Sequence, residues 1–104
     1  MIQISIHDSF DLTVITIQGH ANYAPKGSDI VCSAISVLYQ TLIKVLNTRT
    51  QTDYKVIDEQ KDEQTLFIYE MEDKAYNAFK YFLTGCQLVS EAYPHHVELQ
   101  SNVN

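Results

Sequence analysis

Apolar and polar residues alternate strictly at the start of the chain. Ile2, Ile4 and Ile6 fall on one side of an extended segment, and Gln3, Ser5 and His7 on the other. Successive side chains of a strand point to opposite faces, so residues 2–8 are predicted as one. Residues 11–18 are rich in β-branched types and follow a short Ser9-Phe10 connection, which predicts a hairpin. Residues 19–28 then hold two of the three glycines and one of the two prolines, a density that marks a loop. From Asp29 to about Thr48 the period becomes helical, with Val31, Ile35, Leu38, Leu42 and Val45 as its apolar stripe. Ser28 or Asp29 serves as N-cap, since a short side-chain oxygen there accepts from the free amides of the first turn.

The second half repeats the plan. Residues 53–58 and 64–71 read as strands around a charged turn, Glu59-Gln60-Lys61-Asp62-Glu63. A second helix is predicted over residues 73–91, its stripe formed by Ala75, Ala78, Phe79, Phe82, Leu83, Cys86 and Val89. Pro94 stops it, and residues 96–100 offer a short last strand. The order is ββαββαβ. The economical architecture is α+β, a single two-layer domain over residues 1–104 with both helices on one face of a mainly antiparallel sheet. The order of strands within that sheet does not follow from the pattern.

Composition narrows the function. The chain has 104 residues, 45% of them hydrophobic and 19% charged, which is ordinary globular composition. The net charge is −6 and the seven basic residues are scattered, so no basic stripe exists to neutralise phosphates, and direct nucleic-acid binding is not expected. No apolar run approaches the roughly 20 residues of a membrane span. The alternating start, with Asp8 and Asp11, is unlike a secretory or transit peptide, so a cytoplasmic location is the expectation. Two cysteines do not make a disulfide framework. The four histidines lack metal-ligand spacing, and His95-His96 would point to opposite faces of a strand, so neither metal nor cofactor is expected.

One segment stands apart. Gly19-His20 closes a strand, a loop follows, and Cys32 falls in the first turn of the helix. Free amides and the helix dipole there stabilise an anion, and the thiolate is the form of cysteine that attacks carbonyl carbon. Ser36, at i+4, projects to the same surface as Cys32. His20 is the plausible base if the loop folds back, and the amide of Cys32 with its helix neighbours would supply oxyanion donors. Each residue also has an ordinary reading. Cys32 suits a small semi-buried position, Asp29 is first of all a cap, Ser36 packs, and Gly27 gives the loop exit backbone freedom. Cys86 lies on the apolar stripe and is assigned to the core, where Tyr76, Tyr81 and Tyr93 would form a border.

Residues 19–36, GHANYAPKGSDIVCSAIS, resemble the signature of the ribosomal-processing cysteine proteases, the Prp or YsxB-like family: GHA, a Gly-containing loop, DIVC, then small residues and Ser. Length and element order agree over the whole chain. The sequence departs from the pattern inside the loop, at Pro25-Lys26. The resemblance implies a cytoplasmic bacterial endopeptidase, typically a homodimer. It would remove an N-terminal extension from the twenty-seventh large-subunit ribosomal protein, a basic substrate. It places the catalytic pair on Cys32 and His20, with the required separation of 12, the accessory residues on Asp29 and Ser36, and the loop glycines on Gly19 and Gly27. The loop would act as a lid that orders on substrate binding. The rival reading is a non-catalytic dimeric module that binds a ribosomal protein or an assembly intermediate.

Overall fold

The computed structural model describes residues 1–25 and 29–103, with Glu59 described through its backbone alone. Seven elements follow in the predicted order: β1 (Ile2–Asp8), β2 (Leu12–Gln18), α1 (Ile30–Arg49), β3 (Asp53–Gln60), β4 (Glu63–Tyr69), α2 (Asp73–Ala92) and β5 (Val97–Ser101). The five strands form one sheet in the order β3-β4-β2-β1-β5. Its pairs are antiparallel except β1 with β5, which makes the sheet mixed.

Register places the apolar set on one face. Ile4 opposes Ile17 and Ile6 opposes Ile15 across β1 and β2. Ile15 opposes Leu66, and Thr13 opposes Ile68, across β2 and β4. A slip of one residue would turn all of these to the other face, so burial of that face specifies the pairing. Buried Thr13 satisfies its hydroxyl by donating to Asp8 Oδ1 at 2.5 Å. Both helices lie on this face, and their buried stripes join Ile2, Ile4, Ile6, Ile15, Leu66 and Ile68 in one core.

The stripe of α1 differs from the expectation. Its buried residues are Val31, Ile35, Tyr39, Leu42 and Leu46, whereas Leu38 and Val45 are half-buried. The reason is α2. Leu38 fills the seam between the helices, where its Cδ2 lies 2.5 Å from the point a Cβ on Gly85 would occupy. The face turned to the sheet therefore rotates by one residue onto Tyr39 and Leu46. α1 is also long and apolar enough, by length and composition, to cross a membrane, contrary to the reading of the bare sequence. In the fold its stripe is the centre of the core.

Element ends moved by one to three residues. β3 runs on to Gln60 through an irregularity between Ile57 and Gln60, which shortens the charged turn to Lys61-Asp62, with Asp62 at φ 63°. Asp11 belongs to the first turn rather than to β2, and Glu70 and Met71 lie beyond β4. His96 precedes β5 instead of opening it. Cys86 is buried as expected, and burial pushes its thiol up to about 12. Tyr93 is half-buried, whereas Tyr76 and Tyr81 are exposed.

Candidate active site

Cys32 is the third residue of α1, and a single carboxylate organises the turn that holds it. Asp29 is extended at φ −82°, ψ 100°, and its Oδ1 accepts from the amides of Val31 and Cys32, both at 3.0 Å. This is N-capping, by which a side-chain oxygen satisfies amides that have no partner within the helix. The second oxygen, Oδ2, accepts from Tyr23 N at 3.0 Å and Ala24 N at 3.4 Å. The Cys32 amide first, then those of Tyr23, Ala24 and Val31, hold the Asp29 carboxyl below its ordinary 3.8, against the opposing effect of burial. Asp29 thus fastens loop to helix. Among the described residues no hydrogen bond or ion pair joins it to His20. The Cys32 amide, expected as an oxyanion donor, is taken up by this cap together with that of Val31.

The segment before the helix is pinned along its described length. Gly19 sits at φ 90°, and its amide donates to Asp62 O at 2.9 Å. A Cβ there would stand 2.5 Å from Met1 O, so glycine is required both for the conformation and for the close approach. Ala21 is buried, and its amide donates to Cys32 Sγ at 3.4 Å. Its carbonyl lies 2.8 Å from His96 Nδ1. The Tyr23 ring meets Tyr93 and His96 edge-on, each with centroids 5.3 Å apart. Residues 19–24 are therefore tied to α1, to the β3–β4 turn and to Tyr93 and His96 beyond α2. Gly27 and Ser28 lie outside the described residues.

His20 and Cys32 line one cavity of about 280 Å³, together with Ser36, which is exposed one turn further along α1. No hydrogen bond joins the imidazole to the sulfur among the described residues. Instead His20 Nε2 lies 2.9 Å from Asp62 Oδ1, in a pair that is 61% and 38% exposed respectively. With Nε2 carrying the proton for Asp62, the lone pair of the neutral ring is left on Nδ1. A second cavity, of about 560 Å³, adjoins the first and shares His20, Cys32 and Asp62 with it. No group of three or more potential metal ligands occurs among the described residues.

Sequence reasoning missed Asp62 and His96. Asp62 was one of five residues in a charged turn, and nothing local marked it. His96, in sequence only half of an unsuitable metal pair, holds Ala21, the residue whose amide meets the thiol.

A thiol at a helix N-terminus, with an imidazole in the same cavity, is the equipment of a cysteine hydrolase. The family profile described as cysteine protease Prp matches residues 1–98. The chain belongs to that family and is a cysteine protease. Among curated proteins none matches. Among solved structures, the essential ribosomal processing protease Prp of S. aureus, with a covalently linked product peptide, superposes with a TM-score of 0.84 at 21% identity. That comparison covers 98% of this chain and all of the other. The same S. aureus protease with a substrate peptide gives 0.78, with the same identity and coverage. The protein SMU.848 of Streptococcus mutans gives 0.79 at 25% identity, over 97% of this chain and 93% of that one.

Proposed function

We propose that this protein is a ribosomal-processing endopeptidase that removes the N-terminal extension of the twenty-seventh large-subunit ribosomal protein. Cys32 is its nucleophile and His20 its proton carrier. The observation that carries the assignment is the shared cavity, with Cys32 in the capped first turn of α1 and His20 opposite. Family membership supports the reaction class, and the S. aureus structures with bound peptides support a peptide substrate in this fold.

In the proposed cycle Nδ1 of His20 takes the proton of the Cys32 thiol, and the thiolate so formed, its sulfur anion stabilised by the Ala21 amide, attacks the scissile carbonyl carbon. The tetrahedral intermediate collapses as His20 gives its proton to the leaving amine, which leaves a thioester on Cys32. Water, deprotonated by His20, then attacks the thioester and releases the new C-terminus with the thiol restored. Asp62 holds the ring so that Nδ1 is the nitrogen presented to the reaction. Asp29 and Ser36 support the site, Asp29 as cap and Ser36 on the cavity wall. A net charge of −6 favours encounter with a basic ribosomal substrate. The enzyme is proposed to act in the cytoplasm as a homodimer, a state that light scattering of the purified protein measures directly.

The test is to mix the protein, and separately its Cys32→Ala variant, with the full-length ribosomal protein of the same source and weigh the products by mass spectrometry. A single N-terminal cut by the wild type alone is expected. A substrate that carries an extension and binds, yet stays whole, would overturn the assignment in favour of a non-catalytic partner.

A further inference from the structure

Two hydrogen bonds in series connect His96 to the sulfur of Cys32. The backbone of His96 is fixed on both sides, its amide donating to Tyr93 O at 3.0 Å and its carbonyl accepting from Ile2 N at 2.9 Å. From that mount the imidazole Nδ1 lies 2.8 Å from Ala21 O. A carbonyl oxygen only accepts, so Nδ1 carries the proton and donates, whatever the charge on the ring. Ala21 is 1% exposed, and a carbonyl so buried has no bulk water to replace that donor. On the other side of the same Cα, the Ala21 amide donates to Cys32 Sγ at 3.4 Å. The two bonds belong to consecutive peptide units, so fixing the carbonyl orients the amide. His20 is the residue immediately before. The Tyr23 ring packs edge-on against both His96 and Tyr93, with centroids 5.3 Å apart in each pair.

We propose that His96 is a positioning residue of the active site. Through Ala21 it holds the amide that stabilises the Cys32 thiolate, and with it the backbone that carries His20. The proposal rests on Cys32 being the nucleophile and adds the residue that keeps it reactive. Its role differs from packing in what it requires. A phenylalanine ring at this position keeps the edge contact with Tyr23 but leaves Ala21 O unpaired. A buried carbonyl without a partner turns toward another donor, and that rotation takes the amide away from the sulfur. An asparagine loses the ring, yet its amide nitrogen branches from Cγ as Nδ1 does and donates to the same oxygen. The effect falls on the chemical step. Among the described residues His96 lines neither cavity that Cys32 shares with His20, so substrate binding does not pass through it.

The experiment compares the full-length wild type with His96→Phe and His96→Asn, with Cys32→Ala as blank. It measures cleavage of the full-length ribosomal protein of the same source, and iodoacetamide labelling of both cysteines by mass spectrometry. His96→Phe should lower kcat about tenfold, the worth of one hydrogen bond to a charged group, with KM unchanged. Its Cys32 should be labelled more slowly by a similar factor at neutral pH. Cys86 should stay unlabelled, which shows that the core is intact. His96→Asn should recover most of both rates. Wild-type kcat and labelling in His96→Phe, or faster labelling of Cys32 there, would overturn the role and leave the protease reading standing. Equal losses in both variants, whether or not Cys86 becomes labelled, would assign His96 to packing and overturn it as well. A substrate cut by Cys32→Ala as by the wild type, or by neither, would remove the nucleophile and this role together.

Discussion

His20 Nε2 and Asp62 Oδ1 are 2.9 Å apart, across 42 residues of chain, at the mouth of the cavity that holds Cys32. Both partners are open to solvent, His20 more than Asp62, so the pair adds little to stability, in the range of about 0–1 kcal/mol for exposed ion pairs. Its consequence is orientation. Asp62→Ala should leave the urea midpoint nearly unchanged while lowering kcat by about tenfold or more, as expected when an orienting carboxylate is lost. Denaturation curves and steady-state cleavage of one peptide measure the two effects side by side. A variant with higher activity would mean that Asp62 restrains His20.

The two thiols should behave as different chemical species. Cys86 is buried and its thiol is pushed up to about 12, whereas Cys32 is half-buried and reaches the cavity. Iodoacetamide at neutral pH should label Cys32 in the folded protein and leave Cys86 unmodified, with both labelled in denaturant. Peptide mapping after a brief exposure decides this. Equal labelling of the two in the native state would contradict the fold around α2.

Stability should decline on the alkaline side. The folded-state values of Cys86 and Tyr39 are both about 12, raised from 9.0 and 10.0. Between the ordinary and raised values the folded state holds protons that the unfolded chain has released. Rising pH therefore favours unfolding, by up to about 1.4 kcal/mol per pH unit for each group. Urea midpoints from pH 8 to 11 should fall progressively above 9, and Cys86→Ala should begin its decline about one unit later.

Asp29 acts at the opposite end of the scale. Its folded-state value lies below 3.8, so the stability it contributes is complete above 3.8 and is lost as pH falls through the lowered value. Asp29→Asn keeps an acceptor for the α1 amides but should flatten this acid limb, as followed by circular dichroism between pH 5 and 2.

Gly19 should not tolerate a side chain. Positive φ and a Cβ placed 2.5 Å from Met1 O together predict that Gly19→Ala costs about 2 kcal/mol or more. The same change displaces His20, so cleavage should fall further than the lost fraction of folded protein explains.

Local periodicity carried the elements because a strand repeats every two residues and a helix every 3.6, and both leave their mark within one segment. Ile2, Ile4 and Ile6 alternate as read, and Asp29 caps as read, since a cap reaches only two or three residues along the chain. Leu38 packs against the core from the seam with α2 and not from the face turned to the sheet, two placements that periodicity alone does not distinguish. That choice depends on Gly85, nearly 50 residues away.

The order of elements, the place of Cys32 at the start of a helix, and the distinction between the core and the reactive segment are legible in the chain. Tertiary structure decided which residues meet there. Asp62 reaches His20 because β4 pairs with β2, and His96 reaches Ala21, 75 positions away, because β5 runs parallel to β1. Strand pairing follows from which faces can be buried together, a property of the assembled layers that no single segment carries.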